Sequence, residues 1–238
     1  MALSKITTES LLDGEITLPK LSSGTDGNII SYDASGNPVA IATGNDGQVL
    51  TSTGAGSPPA FETPAGGGAW TLINTAVASS SSSLTITGLD TTYDKYAVSF
   101  TDIKPATDEV YGIVRLGDSG GIDSGGTDYA WNMGMPETTA YGWSANFSDG
   151  ADYLKIGHQV GNSTGEALSG LYYIARGSST AYPMVHGTFG CITNGGSGRG
   201  GPMYGYRKAV ITLTQVLFQF SSGNIASGRM SVWGIAHA

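Results

Sequence analysis

A serine flanked by glycines, Gly117-Asp118-Ser119-Gly120-Gly121, has the spacing of a nucleophile at a sharp turn. One triad order places His and Asp before such a serine. All three histidines, His158, His186 and His237, follow it. The other order, serine then acid then histidine, requires a helix directly after the nucleophile. Here the chain continues Gly121-Ile122-Asp123-Ser124-Gly125-Gly126, which cannot hold one. The segment reads as a Gly-rich loop after a strand over Tyr111–Leu116, and the chain as a non-enzyme. Asp118, Asp123 and Asp128 recur at a spacing of five in that loop. Carboxylates and carbonyls there could ligate Ca²⁺, but the Asp-x-Asp-x-Asp-Gly order of an EF-hand loop is missing, so solvated turn acids are expected instead. Three dispersed histidines and one cysteine offer no metal-ligand spacing, and no nucleotide-binding fingerprint is present. Neither a metal nor a cofactor is expected.

The residues best suited to chemistry are aromatic. Tyr129, Trp131, Tyr141, Trp143, Phe147 and Tyr153 fall in one short stretch, interleaved with Asn132, Asn146 and Asp149. Flat rings pack against sugar C–H groups, while amides and carboxylates bind hydroxyls. The same rings could instead fill a core, and both roles stay open. Tyr204 and Tyr206, beyond the loop Asn194–Gly201, have the same standing. Trp131 and Trp143 are the expected anchors, because they sit among Gly, Asn and Asp rather than in a cleanly alternating strand.

These residues need strands to position them. The chain has 238 residues, 37 of them glycine, with 13% charged, about half the usual globular share. Helix-forming stretches are nearly absent, so an all-β protein with many turns is expected. From Trp70 onward apolar residues alternate, as in Leu84-Thr85-Ile86-Thr87, Tyr96–Thr101 and Phe218–Ser221. Strict alternation marks strands buried on one face. Further strands are expected at Tyr111–Leu116, Tyr129–Met133, Tyr153–His158, Leu171–Arg176, Val185–Thr193 and Met230–Ala236. A phase change in Ile211–Val216 predicts a bulge or a strand break. Asn194–Gly201 reads as a turn, and Ser79–Ser83 as a surface loop. Roughly ten strands without helices point to a jelly-roll-like β-sandwich over residues 69–238.

Residues 1–68 differ. A unit of 20 residues occurs twice: Gly24-Thr25-Asp26-Gly27-Asn28-Ile29-Ile30 aligns with Gly44-Asn45-Asp46-Gly47-Gln48-Val49-Leu50, and Gly36-Asn37-Pro38 with Gly56-Ser57-Pro58. Each unit offers a Gly turn, a short apolar strand, a second Gly turn and a Pro-led strand. Two such units hold too few apolar residues for a core, so partners must supply contacts. Ile29, Ile30, Val49 and Leu50 are the expected contacts with other copies or an attachment partner. Before the repeats, a helical turn around Thr8–Leu12 and an extended Ile16–Pro19 are expected. Thr63-Pro64-Ala65-Gly66-Gly67-Gly68 reads as a flexible junction.

Charge and cysteine content narrow the partners. Net charge is −8, with no basic patch, which argues against nucleic acid. Cys191 is the single cysteine, so no disulfide scaffold exists; it reads as a small buried residue. The N-terminus lacks the apolar region of a secretory signal, and no apolar run is long enough to span a membrane. Synthesis in a cytoplasm is expected, without membrane insertion.

The segment Ser10-Leu11-Leu12-Asp13-Gly14-Glu15-Ile16-Thr17-Leu18-Pro19-Lys20-Leu21, with the two repeats after it, resembles tail-fibre and related virion proteins of tailed bacteriophages. The stretch Phe218–Gly228 is similar to the closing hairpin of a phage fibre or decoration domain. The resemblance covers both ends and most of residues 10–62, while Asp102 to Arg207 matches no motif. It implies a homotrimer, with an N-terminal shaft or anchor bound to other virion proteins and a distal β domain. The expected work is attachment to host-surface polysaccharide from a tail fibre. The alternative is decoration of the capsid exterior, with the N-terminal region gripping the capsid.

Overall fold

The computed structural model describes residues 24–64, 70–138, 140–177 and 180–236, with side chains left out over 140–145. The expected helical turn and extended segment before residue 23 lie outside them, as do residues 65–68 of the junction. Among the described residues every regular element is a β-strand and every pairing is antiparallel. The chain divides into two compact units, Met1–Gly67 and Gly68–Ala238.

In the first unit each repeat closes into one hairpin. Strand β1 (Ile29–Tyr32) pairs with β2 (Pro38–Ile41), and β3 (Val49–Thr51) with β4 (Ala60–Glu62). The glycines explain the repeat. Gly27 and Gly47 have φ of +76° and +81°, and Gly36 and Gly56 both have +79°. Only glycine adopts these backbone angles without strain. Asp33 fixes the first hairpin's turn by accepting hydrogen bonds from the amides of Ser35 and Asn37 at 2.8 and 2.9 Å. The bond from the Asn37 amide is the main reason its carboxyl titrates below the usual carboxylate range. Thr43 ties the end of the first hairpin to its start, donating to the Asp26 carbonyl at 2.9 Å and, from its amide, to Asn28 Oδ1 at 3.1 Å. No residue of 24–64 is buried. Ile29, Ile30, Tyr32, Val49 and Leu50 are all exposed, Ile30 by 67%.

The second unit contains β5 (Trp70–Val77), β6 (Leu84–Thr87), β7 (Lys95–Pro105), β8 (Val110–Asp118), β9 (Gly121–Ile122), β10 (Tyr129–Glu137), β11 (Ala140–Ala151), β12 (Leu154–Val160), β13 (Leu168–Ala175), β14 (Met184–Ile192), β15 (Gly198–Arg207), β16 (Gln215–Phe220) and β17 (Ile225–Ile235). One sheet has the order β11-β10-β15-β14-β13-β7-β17-β5, and the other β12-β8-β16-β6, with β9 beside β8. Eight strands therefore form two quartets, β5-β17-β7-β13 and β6-β16-β8-β12. The hairpins β10–β11 and β14–β15 widen the first sheet past β13.

Alternation places one hydrophobic core between the sheets. Leu84 and Ile86 of β6 are buried while Thr85 and Thr87 are exposed, and Phe218 and Phe220 are buried on β16. The Phe100 ring of one sheet lies 4.9 Å from the Phe218 ring of the other. A polar link joins the sheets inside this core. The Tyr129 hydroxyl accepts from the Leu116 amide at 2.9 Å and lies 3.0 Å from the carbonyls of Leu116 and Asp123.

Four strands depart from the sequence reading, one of them the two-residue β9 inside the expected Gly-rich loop. β5 and β11 were not expected, and β15 occupies part of what reads as the Asn194–Gly201 turn. Its glycines permit close approach: a Cβ on Gly205 would meet Leu154 Cδ2 at 2.5 Å and the Ala130 carbonyl at 2.8 Å. The phase change in Ile211–Val216 is a strand boundary, since β16 begins at Gln215 and Leu213 is buried in the preceding loop.

Candidate functional site

The β10 register decides the fate of the expected anchors. Tyr129, Trp131, Met133 and Met135 all point inward and are buried. Tyr129 and Trp131 are therefore core residues, so of the two roles open to these candidates the core one holds, and the expectation of Trp131 as a glycan anchor is corrected. Trp131 stacks near Tyr153 at 6.5 Å between rings, and the half-buried Tyr153 hydroxyl lies 3.0 Å from that of Tyr111. Between these rings sits the Lys155 ammonium, 4.4 Å from the centre of Tyr111, with Asn146 Oδ1 at 3.2 Å. Burial holds the pKa of Lys155 below the ordinary lysine value and raises that of Tyr153. Tyr141 and Trp143 belong to β11, but their side chains lie outside the described residues.

The opposite face of the same sheet carries a different set. Directly paired residues on antiparallel strands share a face. Following the register across all eight strands gives one row: Leu72, Trp233, Ala97, Tyr173, His186, Tyr204, Asn132 and Phe147. A neighbouring row includes Met184 and Tyr206. Both lie on the outer face, where Tyr204 is 42% and Phe147 76% exposed. The rings touch in sequence. Tyr182 stacks on Tyr206 at 6.1 Å, with planes 6° apart, and Tyr204 lies 6.2 Å from Tyr206. Tyr173 sits 5.6 Å from His186 and 6.0 Å from Trp70. At the outer end of β13, β14, β15, β10 and β11, Tyr173, His186, Tyr204, Tyr206, Asn132 and Phe147 border an open groove of about 970 Å³. Its polar contributions include Asn132, Ser148, Asp149, His186 and Thr188.

One ion pair borders the groove, and two more lie on the other face of the sheet beside Tyr129. Arg207 binds Asp123 at 2.8 Å and Asp128 at 3.2 Å, and Lys208 Nζ lies 3.4 Å from Asp149 Oδ1 and 2.6 Å from its carbonyl. Two of the three loop aspartates thus face an arginine. The third, Asp118, accepts from the Gly120 amide at 2.7 Å. Among the described residues no group of three His, Cys, Asp or Glu could hold a metal ion. Ser119 lies in the tight β8–β9 connection. His158 belongs to a separate cluster, where its Nδ1 is 2.8 Å from Arg199 Nη1 and Arg199 Nη2 is 3.0 Å from Glu137. Cys191 is buried, and burial pushes its thiol pKa up.

Sequence reasoning singled out Tyr204, Tyr206 and Phe147 of this groove but missed Tyr173 and His186. The signal was in β14, where Val185, Phe189 and Cys191 are buried and Met184, His186 and Thr188 face outward. A row of rings with amide, hydroxyl and carboxylate groups can bind a flat, hydroxyl-rich ligand. The fold and this face define an all-β protein with a ring-lined outer sheet surface. No protein-family model, curated protein or solved structure matches the chain.

Proposed function

We propose that this chain is a bacteriophage virion fibre protein whose C-terminal unit attaches to host-surface glycan without catalysis. The N-terminal hairpins form a thin shaft or anchor, assembled as a homotrimer through Ile29, Ile30, Val49 and Leu50 and joined to other virion proteins. The C-terminal unit is a jelly-roll sandwich carrying two inserted hairpins. Its two quartets, β5-β17-β7-β13 and β6-β16-β8-β12, support that reading, because the chain alternates between the sheets as in a double Greek key.

The observation that carries the glycan reading is the groove where Tyr204 and Tyr206 lie in ring contact beside Asn132 and Asp149. Binding energy concentrates in a few aromatic anchors. Tyr204 is exposed, so its truncation leaves the core intact. Tyr204→Ala therefore removes adsorption of the protein to host cells while its melting temperature stays unchanged. Undiminished adsorption by Tyr204→Ala and Phe147→Ala together would take this groove out of attachment. Imaging intact particles would then decide between tail and capsid: a few copies at the tail fit attachment, and a capsid lattice fits decoration.

A further inference from the structure

We infer that the groove takes an uncharged, linear polysaccharide lying across the strands, with about one sugar ring per strand. This rests on the glycan reading and adds the ligand's charge and direction. Tyr173, His186, Tyr204, Asn132 and Phe147 stand on five adjacent strands in direct register. Neighbouring strands lie about 4.8 Å apart, so the row spans roughly 19 Å. It alternates flat rings with groups able to bind hydroxyls. The other direction fails: along β15 the outward positions pass from Tyr206 and Tyr204 to Pro202 and Gly200, and ring contact ends.

Charge complementarity selects the ligand. No Lys or Arg lines the groove among the described residues, and the sequence 139–145 contains neither. The cation beside it, Lys208, is paired with Asp149, and Arg207 lies on the opposite face, over Tyr129. A uronate or phosphate on the ligand would lose water without gaining a counter-charge, on a chain of net charge −8. An amino sugar would find only Asp149, which Lys208 already holds.

The test uses the full chain against immobilised, purified bacterial surface polysaccharides, half uncharged and half bearing uronate or phosphate, at low and high salt. Uncharged members are retained with little salt dependence. Affinity for their size-fractionated fragments rises up to about five rings, one per strand, and then levels off. Tyr204→Ala and Phe147→Ala each weaken retention about tenfold or more. Retention of acidic members only, falling with salt, overturns the inference and leaves the glycan reading standing. Retention of none overturns both. Sedimentation of the full chain without polysaccharide is the control: if Phe147→Ala shifts it, the face belongs to a second copy and the inference falls.

Discussion

Residues 24–64 and 70–236 are built from the same kind of short, turn-linked strand, yet they place apolar side chains oppositely. In the first unit β1 and β3 put Ile29, Ile30, Val49 and Leu50 into solvent, and no described residue is buried. In the second, β6 and β16 put Ile86, Val216 and Phe218 against a facing sheet. The difference comes from pairing. A two-stranded hairpin has one neighbour per strand and nothing over either face, and is marginal on its own. Two facing sheets cover each other's inner face. The comparison teaches that strand chemistry alone does not set stability; the second layer does, and the proposed trimer would supply one to the hairpins.

Perturbing the second layer gives the largest effect. Phe218→Ala removes a fully buried ring that touches Phe100 and Phe220, at 4.9 and 5.2 Å between centres. It costs the second unit about 3–5 kcal/mol, read by chemical denaturation. A loss below about 1 kcal/mol would mean that the sheets do not share this core.

Two tyrosines sharpen the same point with opposite signs. Tyr129→Phe deletes the hydroxyl joining the sheets at Leu116 and leaves buried backbone groups with fewer partners, a loss of about 1–3 kcal/mol. The Tyr172 hydroxyl is buried without a hydrogen-bond partner. Tyr172→Phe removes that desolvated group and raises stability by up to about 1 kcal/mol. Equal shifts in the two variants would contradict the cross-sheet link.

The smallest effect is electrostatic and confined to the second unit. Burial first, then the charges of Lys155 and Arg199, hold the His158 imidazole below its ordinary value of 6.5. The unfolded chain therefore binds the proton more readily. The contribution is complete above about pH 6.5 and is lost as pH falls through the lower folded value. Denaturation of wild type and His158→Gln across that window checks it: the stability difference between them narrows on acidification. A constant difference would remove His158 as the source.

Much of this was legible from spacing. The Gly-x-Asp-Gly pairs located both hairpins, because Gly27 and Gly47 supply the left-handed turn that the motif requires. Alternation located β6, β7 and β16. The site was less legible. Trp131 falls in the expected Tyr129–Met133 strand, but its Gly and Asn neighbours hide the alternation, and it occupies an inward position of β10. Position along β10, not neighbouring composition, decides that. Tyr173, His186 and Tyr204 are far apart in sequence and meet only through the pairing of β13, β14 and β15. That long-range order has no local signature. β15 was hidden because its glycines serve close packing rather than turning.

The direct test of the account is the mass of the purified full chain by sedimentation, read beside amide exchange over residues 24–62. The account predicts particles of three chains with protected hairpin amides. Ile30→Ser with Leu50→Ser then yields single chains whose second unit still unfolds cooperatively. A wild-type chain that sediments singly while its hairpin amides remain protected would contradict it.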